Sequence, residues 1–189
     1  IKKISSSSGK LRQGQIDATG KYIVPGLIDS HTHYSNFCID SVGADTMSQL
    51  YFRNGVTTVR DVGGNYLYIK EYNRLRADGA FSGPDIFYSS IWATGDFHMP
   101  EYHSEGSLQK DTPWSRIFSV KDSTDAAIEK AVLEAKEIGA SGFKLYIHYS
   151  KEELDRLVPI IRKHGLRVWA HSAQVTGADA LQTAKSGVQ

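Results

Sequence analysis

The chain has 189 residues, 40% of them hydrophobic, enough for one ordinary globular domain with a sizeable core. Its 22 Lys+Arg balance 21 Asp+Glu to a formal net charge of +1, which gives no electrostatic draw towards nucleic acid or an anionic membrane. No apolar run nears the roughly 20 residues of a membrane span, and the single cysteine, Cys38, excludes intrachain disulfides and Cys-rich zinc sites.

Ile1-Lys2-Lys3-Ile4 and the four serines that follow lack the long apolar core of a signal peptide. The expected compartment is the cytoplasm; a periplasmic or secreted location stays open, since the natural start can lie upstream. Ser5 to Gly9 reads as a flexible loop. A strand is expected from Ile23-Val24 through Leu27-Ile28 to His31, interrupted by Pro25-Gly26. Helical spacing follows from about Asp45 to Asn54 and closes at Gly55. Val56-Thr57-Thr58-Val59 is β-branched and predicts a second strand. A turn at Gly63-Gly64 leads to a helix over Tyr66 to Asp78, and Ile86-Phe87-Tyr88 forms a third strand. A long loop is expected from about Trp92 to Val120.

Asp125 to Ile138 has the clearest helical stripe: Ala127, Ile128, Ala131, Val132, Ala135 and Ile138 recur at i, i+3/i+4. Gly142 to Ile147 predicts a fourth strand. Ser150 and Glu153 have capping-box spacing for a helix with Leu154, Leu157, Val158 and Ile161 on its buried stripe. Leu166 to Ala170 is a fifth strand, and Gly177 to Lys185 a last helix. Strands alternating with helices argue for βαβ units around a parallel sheet. An eight-stranded barrel takes roughly 250 residues, so five strands make either part of a barrel or an open doubly wound sheet. Gly63-Gly64 lacks the G-x-G-x-x-G spacing of a dinucleotide-binding turn, which weighs against the second.

His31 and His33 are two residues apart, so in a strand both side chains point to one face. Two neutral imidazoles on one face make half of a zinc site; two histidines following Asp29-Ser30 can equally cap a strand end. The string from Asp17 to His33, DATGKYIVPGLIDSHTH, closely resembles the point at which the amidohydrolase superfamily passes from a small β-sandwich into its barrel and delivers H-x-H. Gly55 to Asp61, GVTTVRD, is similar to that superfamily's second strand. The resemblance runs from about Asp17 to Gln189, nearest to the branch of imidazolonepropionase-like enzymes and metal-dependent prolidases.

The resemblance implies an α/β fold: a (β/α)8 TIM-type barrel of which about the first five βα units are present. Residues 1–24 are the expected end of a small N-terminal β domain, and 25–189 the partial barrel. On pattern alone Lys144, in Gly142-Phe143-Lys144-Leu145-Tyr146, reads as a surface lysine of an edge strand. The resemblance implies instead a lysine that captures carbon dioxide as a carbamate and bridges two divalent metal ions, zinc being expected. His171, after Val168-Trp169-Ala170, matches the superfamily's next metal-binding histidine. The implied metal ligands are therefore His31, His33, Lys144 and His171. A further histidine and a catalytic aspartate are expected on later strands, beyond Gln189.

His98, in the loop after the third strand, is a candidate substrate contact. His148 reads as a loop residue, and His164, before Gly165, as an ordinary helix C-terminal residue. Tyr88, Trp92, Phe97, Tyr102 and Trp114 are expected mostly to pack the interior. The implied activity is hydrolysis of a C–N bond in a cyclic amide or a dipeptide, with a small-molecule or dipeptide substrate as partner and a homo-oligomer left open. Phosphotriester or lactone hydrolysis and deamination are rival reactions at the same site; a non-catalytic binding or assembly module is the rival of a different class.

Overall fold

The computed structural model describes residues 9–36, 41–80, 82–94, 112–146, 149–172 and 177–189. Among these, strands and helices alternate as β1 (Leu27–Thr32), α1 (Ser41–Arg53), β2 (Val56–Asp61), α2 (Tyr66–Ala77), β3 (Asp85–Ala93), β4 (Ser115–Ile117), α3 (Asp125–Glu137), β5 (Gly142–Tyr146), α4 (Lys151–Lys163), β6 (Arg167–Ala170) and α5 (Ala180–Lys185). All strands pair in parallel, in the order β1-β2-β3-β5-β6, with β4 beside β3. Each of β1, β2, β3, β5 and β6 is followed by a helix, so the chain holds five βα units of a (β/α)8 barrel.

The structure differs from the sequence reading at several points: α1 begins at Ser41, ahead of the expected Asp45, and α5 at Ala180, after the expected Gly177. Ile23 and Val24 lie outside β1, which begins only after Pro25-Gly26; Pro25 has no N–H to give to a ladder. β3 runs on to Ala93, past the expected loop start. Within that loop lies β4, which pairs Ser115, Arg116 and Ile117 with Ile91, Trp92 and Ala93. Three residues are too few to show a period, so β4 leaves no mark in the sequence. β5 already occupies one edge of β3 over Ser89–Ala93. β4 therefore takes the other edge, above the point where β2 stops pairing at Asp61↔Tyr88.

The sheet is strongly curled. Adjacent strands lie about 4.8 Å apart, so in a flat sheet β1 and β6 would be separated by roughly 19 Å. Yet Ile28 of β1 and Trp169 of β6 line one cavity of 340 Å³ on the inner face. The inner face is open: Ile28 and Phe87 are 69% and 55% exposed. Gly142, at the start of β5, is required by this curl, because a Cβ there would lie 2.5 Å from the Trp169 ring and 2.6 Å from the Arg167 carbonyl.

The outer face carries the main core. Phe143 and Leu145 of β5 are fully buried and belong to one cluster with Ile128 and Val132 of α3 and Leu157 and Ile161 of α4. The expected stripe of α4 is buried throughout, and that of α3 at Ile128, Ala131, Val132 and Ala135, with Ile138 half-buried and Ala127, in the first turn, exposed. The capping box of α4 is formed: the Glu153 N–H donates to Ser150 Oγ at 3.2 Å and the Ser150 N–H to Glu153 Oε2 at 3.0 Å. Buried Arg116 ties β4 to α3, donating to Glu134 Oε2 at 3.0 Å and to the Thr112 carbonyl at 3.1 Å. Arg156 of α4 reaches the start of α3 and the segment before it, donating to Asp125 at 2.6 Å and to the Val120 carbonyl at 2.7 Å. No described helix is long and apolar enough to cross a membrane.

Candidate metal centre

β1, β5 and β6 run in parallel and end at the same end of the curled sheet. His31 is the fifth residue of β1, and His33 follows the strand. Their rings meet edge to face, with centroids 5.9 Å apart. Two imidazoles sharing one tetrahedral zinc at ~2.0–2.1 Å bonds have centroids roughly 5 Å apart, so the pair lies close to ligating geometry. His33 Nδ1 sits 2.9 Å from the Gly63 carbonyl oxygen. A carbonyl only accepts, so Nδ1 carries the proton, and in the neutral ring Nε2 is the nitrogen with the lone pair.

Lys144 is central in β5, between Ile91 of β3 and Trp169 of β6 in register. The strand period places it opposite the helix-facing Phe143 and Leu145. It is 4% exposed. Burial pulls its amine below the usual lysine range, and no carboxylate among the described residues opposes that shift. The lysine is therefore interior, contrary to the edge-strand reading that its pattern alone supports.

His171 follows β6, and its N–H donates to the Leu145 carbonyl at 2.9 Å, which carries the β5–β6 register one residue past the strand. Its ring stands edge-on to Tyr146, centroids 5.4 Å apart. Burial and the neighbouring Lys144 both lower its pKa. His31 is lowered by burial first, then by Lys144, His33 and His171, against an upward pull from Asp29. These influences put all four side chains in one electrostatic neighbourhood, and each shift favours the neutral nitrogen that a metal ion needs.

The donor set thus fits a divalent cation: neutral imidazoles and a buried amine able to become an anionic carbamate. Among the described residues, no three His, Cys, Asp or Glu side chains converge as a ready metal-binding group. The fit depends on Lys144, which is none of these types.

His98, His148, Phe97 and Tyr102 lie outside the described residues. His164 is the C-cap of α4, and its Nε2 is 2.7 Å from Glu129 of α3, so it is structural. Tyr88 and Trp92 are buried in the core, and Trp114 packs on Tyr66 with ring centroids 5.7 Å apart. Sequence reasoning gave Asp61 no role of its own. It is fully buried at the end of β2 and accepts three hydrogen bonds: from the Ser35 N–H at 2.9 Å, the Ser35 hydroxyl at 3.0 Å and the Gly63 N–H at 2.9 Å. Burial raises its pKa, while the donors from Ser35 and Gly63 pull it back down. A carboxylate ending a β-branched run after an arginine was the available signal.

No family model and no curated protein matches the chain. Solved structures do. A Xaa-Pro dipeptidase with methionine bound in its active site matches 87% of this chain and 47% of its own, at 22% identity and TM-score 0.63. A prolidase complexed with N-methylphosphonate-L-proline matches 97% of this chain and 51% of its own, at 20% identity and TM-score 0.67. Molinate hydrolase matches 86% and 45%, at 22% identity and TM-score 0.59. The chain thus spans about half the length of the structures it matches, and over that half it has the fold of prolidases and amidohydrolases.

Proposed function

We propose that the chain is the front part of a metal-dependent hydrolase that cleaves C–N bonds in a dipeptide or a cyclic amide. The observation that carries this reading is the gathering of His31, His33, Lys144 and His171 on one inner face, with Lys144 buried and unopposed by any described carboxylate. The likeness to a prolidase and a Xaa-Pro dipeptidase supports a dipeptide with proline at its C-terminal side as the first substrate to try.

In this reading His31, His33, His171 and a carbamate on Lys144 would together hold two divalent ions, zinc being the expected metal. The neutral Lys144 amine would add to carbon dioxide and lose one proton, giving a carbamate whose single negative charge is shared by two oxygens. Divalent ions held there supply an activated water near neutral pH and polarise a carbonyl. Gly63 holds the His33 ring in one orientation, and Tyr146 flanks His171. His98 is proposed as a substrate contact, and the proton for the leaving nitrogen is assigned to an aspartate outside this chain. Residues 1–24 are taken as the end of a small β domain, whose other strands would cover the exposed Tyr22, Ile23 and Val24.

The test is to equilibrate purified protein with zinc and bicarbonate, remove the excess, and measure metal per chain and release of proline from dipeptides. Two ions in the wild type and their loss in Lys144→Ala, together with any activity, is the expected result. Full activity and full metal content in Lys144→Ala would sink the carbamate assignment.

A further inference from the structure

We propose that Asp61 is a positioning residue that fixes the ring orientation and tautomer of His33 through the backbone of Gly63; as a role in metal binding, this rests on the reading of His33 as a ligand. The chain of contacts is continuous. Asp61 Oδ1 accepts the Gly63 N–H at 2.9 Å, and the Gly63 carbonyl faces His33 Nδ1 at 2.9 Å. Asp61 Oδ2 is held by the backbone and hydroxyl of Ser35, two residues beyond His33. Ser35 Oγ in turn accepts the Asn65 N–H at 2.8 Å, which closes a loop between the segment after β1 and the segment after β2.

One buried carboxylate thus clamps both segments that deliver and orient His33. The Gly63 peptide has little freedom to move. Its φ is +132°, and a Cβ at this position would lie 2.8 Å from Cβ of Ile91. Only glycine fits, and its N–H is fixed by Asp61. Asp61 pins the Val62–Gly63 peptide at its N–H, and the crowding by Ile91 restricts rotation about the Gly63 Cα, so the carbonyl of the following peptide keeps its direction towards His33. The ring must then donate from Nδ1, which leaves Nε2 as the nitrogen free for a metal ion.

Asp61→Asn keeps the size of the side chain but turns one of its two acceptor oxygens into a donor. Either the Gly63 N–H or the Ser35 N–H then faces an NH2 group, and the clamp opens on one side. The experiment labels the histidine rings with 15N in the 189-residue chain and records their two-bond proton–nitrogen correlations at pH 8. Zinc titration is followed on the same samples. The wild type is expected to show His33 as the Nδ1–H tautomer. Asp61→Asn is expected to show a mixed or Nε2–H ring and roughly 10–100-fold weaker zinc binding, the usual cost of removing an outer-shell orienting group.

An Nδ1–H ring and unchanged zinc affinity in a folded Asp61→Asn variant would overturn the proposal. If that variant does not fold, the decision passes to Asp61→Glu, which keeps the carboxylate: a retained Nδ1–H ring supports it and an Nε2–H ring overturns it. An Nε2–H ring in the wild type overturns it without any variant. A wild type that shows the Nδ1–H ring, and loses it in Asp61→Asn, but binds no zinc upholds the Asp61 clamp while removing the metal reading, so the two failures are told apart.

Discussion

The guanidinium carbon of Arg60 lies 4.0 Å from the centre of the Trp169 ring, joining β2 to β6 across the inner face of the curled sheet. Two strands separate them in the sheet order, so the contact measures the curl directly. Arg167 stands close enough to Arg60 to lower its pKa, after burial. Arg60→Ala is expected to cost about 0.5–2 kcal/mol, the range of a cation–π contact at a half-open site, and to change Trp169 fluorescence. Urea unfolding followed by tryptophan emission checks both; an unchanged midpoint and spectrum would mean the contact holds nothing.

Lys144 gives a prediction independent of any metal. Its folded-state pKa is lowered by burial, so between that lowered value and the ordinary 10.5 the unfolded chain binds more protons than the folded one. Metal-free wild type therefore gains stability as pH rises through this window. Lys144→Met removes the buried amine and this component of the slope. It is expected to stabilise the metal-free chain by on the order of 1 kcal/mol near neutral pH. Thermal unfolding in chelator at several pH values reads this; parallel curves for the two proteins would contradict a buried lysine without a counter-charge among the described residues.

Leu157 is fully buried in α4 within the outer core. Leu157→Ala is expected to cost roughly 2–5 kcal/mol through lost burial and the cavity left behind. Ser150→Ala breaks the capping box of the same helix and is expected to cost about 1 kcal/mol. Denaturant midpoints measured side by side check the order of the two effects, with the core substitution the larger.

Glu129 joins α3 to α4 by accepting from Lys163 at 2.8 Å and lying 2.7 Å from His164 Nε2. Hydrogen bonds from Lys163 and then His164 hold its pKa below the ordinary 4.5. A lowered carboxylate contributes stability that is present above its unfolded value and lost as pH falls through the folded one. Glu129→Gln is therefore expected to flatten the stability curve below pH 4.5 while changing its shape little at pH 8. Thermal midpoints between pH 3 and 8 would show this, and an equally steep acid limb in the variant would reject it.

The βαβ order and the buried stripes of α3 and α4 were legible because period 3.6 and β-branched runs report burial directly. Ser150 with Glu153 announced a cap that is formed. The histidine pair at i and i+2 was legible as one face of a strand end. Lys144 was not legible as a buried group from its strand alone, since β5 gains its neighbours β3 and β6 only through the fold; resemblance, rather than pattern, pointed to it. Asp61 was hidden for a related reason. Its three donors come from Ser35 and Gly63, and nothing local says that the turns after β1 and β2 meet. β4 escaped because three residues carry no period.

β4 also has a consequence for how such a molecule can change. The chain leaves the sheet at Ala93 and comes back beside it, with Ala93 in register with Ile117. The Phe118 N–H donates to the Ala93 carbonyl at 2.7 Å, and buried Arg116 fastens the return to α3. The return strand is thus held by backbone pairing and by Arg116, contacts made wholly by residues on either side of positions 95–111. In the proposed reading, where His98 meets substrate, substitutions at that position would alter substrate preference while the pairing of β3 with β4 stays in place.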